Sequence, residues 1–579
     1  MNAPHSEPKQ QIGSKSVKLW IWLGGLFVAS FCIILSISLL ANVNGPYNLD
    51  RVTFALLLSF ILALVALAGL WMIRWLCHWR NLRWALFIFA CMLTLIALGY
   101  AEENWRGKRA WQKHRQQWEA KGEKFDFASF VPPPVPEEKN FAFASIFMPA
   151  LEVTQGLTGV VWKDTNALAR LQQISAELTP PRETNGRLAL GSLEKGTFAD
   201  LSACADFYRD NTNYPQAAPS ATPSEVILAA LNKFEPEIKQ LREAAAERPY
   251  ARFPVQYDYE PPWGILLPHL ARVKGLNTLV HVRAIAELEA GRPAEAFDDL
   301  KLGFRLSDSI HDEPILIDHL VRLAMLGSNL QVVREGLIRK AWAESQLEQI
   351  ESYLGSLDLL KEYKLAIHGE RAFSVAGLDY LRRLSGRVNP MDFLSDDNRS
   401  PAMANGFAIM PRGWYYQNMV TLSSMHEQFS LPAVDEHAHR VDPELSEKAV
   451  AEIAKLPMRP YTIFAKLLLP ALEKTVQKAA RMQTFVDMGR IACAIERYRL
   501  VNGHYPERLD LLVPGLIGGL PSDLITGKPL HYQLEPAEGY VLYSVGWNRT
   551  DDGGRVGFTK QNKEVDVTKG DWVWQMDKS

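Results

Sequence analysis

The sequence predicts a multi-domain membrane protein with three N-terminal transmembrane helices, a mainly α middle domain of helical hairpins, and a C-terminal α+β domain. Three observations predict it. The first hundred residues hold three nearly uncharged apolar runs. Residues 140–455 repeat apolar positions at helical spacing between proline-rich breaks. Beyond them a long helical pattern gives way to short alternating stretches rich in Tyr, Val and Trp. A chain of 579 residues also exceeds what one core organises, so several domains are expected.

Residues 1–16 form a polar tail, and residues 17–100 carry the apolar runs Val17–Leu40, Val52–Ile73 and Leu82–Tyr100. A helix of about twenty apolar residues spans the roughly 30 Å of hydrocarbon, and lipid forces such backbone into helices. Lys9, Lys15 and Lys18 flank the first run, and Arg74, Arg80 and Arg83 fill the second loop, against Arg51 alone in the first loop. Positive charge stays inside, which places the tail in the cytoplasm and the C-terminal mass outside. Arg106, Lys108, Arg109, Lys113 and Arg115 oppose that orientation, but the first helix is given precedence.

Residues 101–139 read as a basic, tryptophan-bearing helix followed by a proline-rich linker. Trp105, Trp111 and Trp118 suit either a headgroup layer or a linker helix with ordinary packing. "VPPPVPEE", residues 131–138, reads as a stiff spacer and a domain boundary. Residues 140–455 form the helical domain. Its clearest unit is "HVRAIAELEAGRPAEAFDDLKLGFRLSDSI", where Gly291 ends one helix and Pro293 opens the next. Ala294, Ala296, Phe297, Leu300 and Phe304 line the second helix. The unit resembles a tetratricopeptide helix pair, without a 34-residue repeat to extend it.

Residues 456–579 form the C-terminal domain. A long helical pattern runs from Tyr461 to Arg499, with Pro470 either kinking it or marking its start. Val476, Ala479, Ala480, Met482, Phe485, Met488, Ile491, Ile495 and Tyr498 make one core-facing stripe. Gly503 ends the helix, and "LHYQL", "GYVLYSV" and "DWVWQ" are the strand candidates. The stretches "LLLPALEKTVQKAARMQTFVDMGRIACAIERYRLVNGHYP" and "LPSDLITGKPLHYQL…GYVLYSVGWNRTDDGG" resemble the headgroup of type IV pilin-like proteins, closest to the major pseudopilin of type II secretion. The resemblance implies one helix on a small antiparallel sheet. The family's processed leader and membrane-spanning half-helix have no counterpart: the corresponding place reads "RPYTIFAKLLLPAL". Fibre assembly is therefore not expected, and the headgroup is read as reused within a larger protein.

Net charge is −2, from 63 basic and 65 acidic residues, which argues against a nucleic-acid partner. Five cysteines include no CxxC pair; three lie in the N-terminal apolar region, and whether Cys204 and Cys493 pair stays open. Phosphate-loop, dinucleotide, nucleophile-elbow and HExxH motifs are missing from the chain. "MHEQFSLPAVDEHAHRVD" gathers His426, Asp435, Glu436, His437 and His439, either a metal-ligating set or an exposed polar loop. In "GWNRTDDGGR" the resemblance implies a calcium loop with Asn548, Asp551 and Asp552 as ligands, joined by Asp566 or Asp571 from the following segment. The rival reading is a glycine-rich turn.

These features lead to the expectation of a non-enzymatic scaffold or interaction protein in the bacterial inner membrane. Its N-terminus would be cytoplasmic and its C-terminal domains periplasmic. Protein partners in the cell envelope and a type II secretion or pilus-like system are expected, with no cofactor beyond calcium. The alternative is a membrane-anchored, metal-dependent hydrolase using the His426–His439 cluster.

Overall fold

A computed structural model describes residues 79–576 apart from 157–158, 167, 171, 173–188, 210, 386–408, 470–472, 536–538 and 561–563, with scattered helical residues before position 79. The expected spans Val17–Leu40 and Val52–Ile73 lie mostly outside the described residues. Among the described residues one helix, not three, is long and apolar enough to cross a membrane: α1, Trp79–Glu119. Its most apolar window has a mean hydropathy of 2.1, and none of that window is buried. The expected third span, Leu82–Tyr100, is the first half of this helix. No proline interrupts the sequence after Tyr100, so the helix runs on until Gly122, at φ 94°, turns the chain.

The chain divides into two compact units, Met1–Glu102 and Glu103–Ser579. The second unit, called the body below, is mainly helical, with small antiparallel sheets. It holds both the proline run and the C-terminal region. One of these sheets is the hairpin of β1 (Ala189–Ser192) and β2 (Thr197–Asp200). Then come α2 (Pro268–Glu289), α3 (Pro293–Asp308), α4 (Leu316–Ile338), α5 (Glu344–Gly355) and α6 (Leu359–Arg383). After them follow α7 (Arg412–Met425), α8 (Pro443–Lys455) and α9 (Glu473–Asn502).

The α2–α3 hairpin forms as its sequence dictates. Gly291 adopts φ 73°, and the Arg292 amide donates to the Glu287 carbonyl at 2.8 Å, closing the end of α2. Ala296, Phe297, Leu300 and Phe304 are buried, whereas Ala294, in the first turn of α3, is exposed. Phe304 stacks on Tyr353 of α5 with centroids 4.0 Å apart, and α4 packs on both helices of the hairpin.

α9 is where prediction and structure part. The expected helix from Tyr461 is instead a short helix, Ile463–Leu468, followed by α9; Pro470 lies outside the described residues. The expected stripe is inside, with Phe485, Met488, Ile491 and Ile495 at most 2% exposed and Met482 and Tyr498 half-buried. Each fully buried large apolar side chain stabilises by about 1.5–3 kcal/mol. However, the other face is buried as well: Gln483, Thr484 and Asp487 are at most 3% exposed. Helices α4, α5, α6 and α8 surround α9, and strands of the C-terminal sheet close the circle. The polar residues tolerate this because each is bonded. Gln483 accepts from the Leu359 amide at 2.8 Å and donates to Asp487 at 3.1 Å, and Thr484 donates to the Ala480 carbonyl at 2.9 Å.

The C-terminal region has a three-stranded sheet of the expected strands β3 (His531–Glu535), β4 (Gly539–Ser544) and β7 (Trp572–Gln575), and the unforeseen β5 (Val556–Phe558) and β6 (Val565–Gly570) pair in a separate two-stranded one. The order is β7–β4–β3, antiparallel throughout, with Trp572 opposite Ser544 and His531 opposite Tyr543. Trp574 is fully buried, and a Cβ on Gly489 would lie 3.3 Å from its ring, so that glycine lets α9 approach β7 closely. Cys204 and Cys493 are both free thiols and both buried.

A fragment spanning 461–579 alone would expose the α9 faces that α4, α5 and α6 cover. We expect it to show no cooperative melt, while the body melts cooperatively as one unit; circular dichroism on both separates the outcomes.

Candidate functional site

Arginine is almost never fully buried unless its charge is paired, so the fully buried Arg371 of α6 marks a built arrangement. Its guanidinium contacts Glu123 at 2.8 Å and Glu427 at 3.3 Å, and it donates to the Lys124 carbonyl at 2.7 Å. The Phe125 ring lies 4.7 Å from the guanidinium carbon, adding a cation–π contact. Glu427 also accepts the Ser423 hydroxyl at 2.7 Å, and His114 of α1 brings its Nε2 to 3.0 Å from the remaining carboxylate oxygen. His368, one turn before Arg371, stacks on Phe130 and reaches Glu123 at 3.4 Å.

The local backbone makes this convergence. α7 widens into a π turn over His426–Ser430, with the Leu431 amide bonding the His426 carbonyl at 2.9 Å. Wide turns of this kind often occur at functional positions. Here it places two consecutive side chains, His426 and Glu427, inside the body. Burial, the Arg371 charge and His368 push the His426 imidazole down to about 3. Burial, partly offset by Glu123, pushes His368 down to about 4. Both rings are therefore neutral at neutral pH.

Next to this cluster the second half of α1 docks on α7. An added Cβ on Gly107 would sit 2.1 Å from the Gly413 carbonyl oxygen, and one on Gly413 would sit 1.9 Å from the Glu103 carbonyl oxygen. No other residue fits either place. Asn104 accepts from the Gly413 amide at 2.7 Å, and Trp414 donates to Glu103 at 2.9 Å. Trp111 is buried edge-on against Phe125, Trp118 is half-buried, and Trp105 is exposed. Ordinary packing thus accounts for Trp111 and Trp118.

The residues singled out in the sequence disperse. His426 joins the Arg371 cluster, but His439, at φ 49°, binds Asp487 of α9 at 3.0 Å, which raises its pKa. His437 has a side chain 94% exposed, 3.8 Å from Glu436, which in turn lies 3.7 Å from Lys364. Asp435 accepts from the His437 and Ala438 amides, making a turn. The five side chains do not converge.

The 546–555 loop likewise turns its carboxylates onto protein donors. Asn548 donates to Asp552 at 2.8 Å, and Asp571 accepts from the Gly554 amide at 2.7 Å and from the Asp552 amide. Asp551 accepts from the Tyr543 hydroxyl at 3.1 Å and the Gly553 amide at 2.9 Å. Asp566 is held by Thr568 and Lys569. Among the described residues no group of three His, Cys, Asp or Glu side chains is placed to hold a metal ion.

Sequence reasoning missed Arg371, Glu123, Glu427 and His114. They stand far apart along the chain, and the one local signal was a charged residue inside the apolar stripe of α6. No family model, curated protein or solved structure matches this chain.

Two predictions follow from this geometry. Gly107→Ala must push α1 off α7 and should destabilise the body by about 1–3 kcal/mol, read by chemical denaturation. The second concerns acid. His426 titrates below its unfolded value of 6.5, so the unfolded chain binds the extra proton first and stability is lost as pH falls from 6.5 towards 3. One such imidazole contributes at most about 1.4 kcal/mol per pH unit. Glu313, pushed up to about 8 by burial, and Glu370, up to about 7, act in the opposite sense. The clean comparison is therefore His426→Leu against the parent. The variant's melting temperature should fall less between pH 6.5 and 4.5, and parallel curves would refute the assignment.

Proposed function

We propose that this is an integral membrane protein of the bacterial cell envelope whose body acts as an interaction scaffold, without catalysis of its own. The observation that carries the reading is α1. Leu86, Phe87, Ile88, Phe89, Leu93, Leu95 and Leu98 are all about half exposed or more, on every side of the helix. An apolar surface of that extent needs a lipid or protein cover. The apolar runs at 17–40 and 52–73 supply further candidate spans.

Support for a scaffold comes from how the body spends its charged residues. The Arg371 cluster, the His439–Asp487 contact and the 546–555 loop all join one segment of the body to another. Such groups hold shape. Support for a pilin-like C-terminal region comes from element order: α9 leads into antiparallel β3 and β4, with β7 alongside, and it contacts β4 and β7. In this reading the headgroup layout is embedded in a helical body, and its partners are envelope proteins near a type II secretion or pilus-like system. The N-terminus is cytoplasmic and the body periplasmic, as the flanking charges favour.

The test is fractionation and topology of the full chain. It should stay with membranes through an alkaline carbonate wash, and a reporter fused after Ser579 should be active only outside the cytoplasm. Release by carbonate would remove the membrane assignment, and cytoplasmic reporter activity would reverse the orientation. Crosslinking and purification from native membranes should recover envelope proteins in fixed ratio.

A further inference from the structure

Between α8 and the short helix Ile463–Leu468 the chain makes a turn, Pro457-Met458-Arg459-Pro460, in which all four residues are exposed. Met458 is 64% exposed, yet the turn that carries it is tied down at both ends. Asn418 of α7 donates to the Pro460 carbonyl at 2.9 Å, and the Thr462 hydroxyl donates to the Pro457 carbonyl at 2.6 Å. The same Asn418 amide bonds the Trp414 carbonyl, and Trp414 bonds Glu103 of α1. The turn is therefore fixed to the part of α7 on which α1 docks.

This part of the body is also basic. Trp105 of α1 is 61% exposed, with the Arg109 guanidinium 5.2 Å from its ring. Arg412, the first residue of α7, and Arg459 are exposed as well. Among the described residues no carboxylate pairs with Arg109, Arg412 or Arg459, whereas Arg106 is paired with Glu103 and Lys455 with Glu452.

Chain connectivity says what is close by. Asn104, which bonds the Gly413 amide, comes four residues after Tyr100, where the apolar run ends. Even fully extended, four residues reach about 14 Å. A headgroup layer adds about 5–7 Å to each side of the hydrocarbon, and the field of a charged surface persists over about 10 Å at 0.1 M salt. With the apolar run in lipid, the start of α7 falls within that field. An interface suits these side chains: tryptophan settles at headgroup level, and arginine grips phosphate through paired hydrogen bonds. Each basic residue near an anionic surface strengthens binding about fivefold. An acidic protein would meet the same cations, but only lipid is brought there by the chain itself.

We propose that Trp105, Arg109, Arg412, Met458 and Arg459 form a surface that binds anionic phospholipid, the guanidiniums on phosphates and the tryptophan and methionine in the interface. This surface presupposes the membrane reading above and serves either orientation.

The experiment uses the full chain, stripped of lipid in detergent and titrated with phosphatidylglycerol or phosphatidylcholine of matched acyl chains, with bound lipid counted by native mass spectrometry. Phosphatidylglycerol should bind at least about tenfold more tightly, and the preference should shrink in high salt. The triple variant Arg109→Gln, Arg412→Gln, Arg459→Gln should lose the preference at an unchanged melting temperature, because all three side chains are exposed. In nanodiscs containing phosphatidylglycerol the Met458 and Arg459 amides should exchange more slowly than in detergent, and the triple variant should restore fast exchange. Equal affinity for the two lipids, or a preference that survives in the triple variant, would overturn the proposal while a carbonate-resistant chain kept the membrane reading. Release of the parent chain by carbonate would overturn both.

Discussion

Most of α9, a helix of 30 residues, is enclosed by protein, and the polar groups on its buried faces have to be settled from within. Its aliphatic residues could have been buried by any apolar surface. Gln483 and Asp487 could not: one needs the Leu359 amide at the start of α6, and the other needs His439, in the turn of the hairpin that pairs Val434–Asp435 with Arg440–Val441 after α7. Those bonds fix the rotation of α9 among its neighbours. With the rotation fixed, Gly489 meets Trp574, and the C-terminal sheet takes its place against the helical hairpins. The helical region and the sheet therefore share one core.

The Arg371 cluster plays a comparable part at the end of α1. One guanidinium reaches the loop after α1 and the π turn after α7, both of which carry the carboxylates that make its burial tolerable. Removing both carboxylates would leave the guanidinium buried and unpaired, typically at a cost of about 3–5 kcal/mol. Replacing all partners with apolar side chains could cost little. The cluster therefore contributes more to which segments meet than to how strongly they hold.

Local features were legible in the sequence, and long-range ones were not. Gly291 and Pro293 specify their turn within a few residues, so the α2–α3 hairpin could be read directly. The strands around Tyr532, Tyr543 and Trp574 announced themselves by alternation. The α9 stripe was also visible, but its opposite face reads as solvent-exposed until Leu359 and His439 are seen to meet it. Hydrophobic periodicity reports which residues avoid water and is silent on polar residues that are satisfied indoors. His426 and His439 looked like neighbours because only twelve residues separate them, yet the π turn carries one to Arg371 and the hairpin carries the other to Asp487. The acidic residues of 546–555 looked like ligands because sequence shows carboxylates and hides the amides that occupy them. Gly107 and Gly413 carry no pattern at all, since a close backbone approach is a property of two distant positions together.

Cys204 and Cys493 are the sole thiols of the body, and both are buried and free. Desolvation raises the pKa of both thiols, and a thiol shut away from solvent reacts with alkylating agents only when it becomes exposed. Each sulfur is therefore a built-in clock for local opening: its labelling rate counts the excursions in which its surroundings come apart. Cys493 times the release of the central helix, and Cys204 times the helix Ser202–Arg209 that follows the β1–β2 hairpin, in the same molecule and without an introduced residue. Unequal rates would divide the body into parts that breathe separately, and matching rates would show that it opens as a whole.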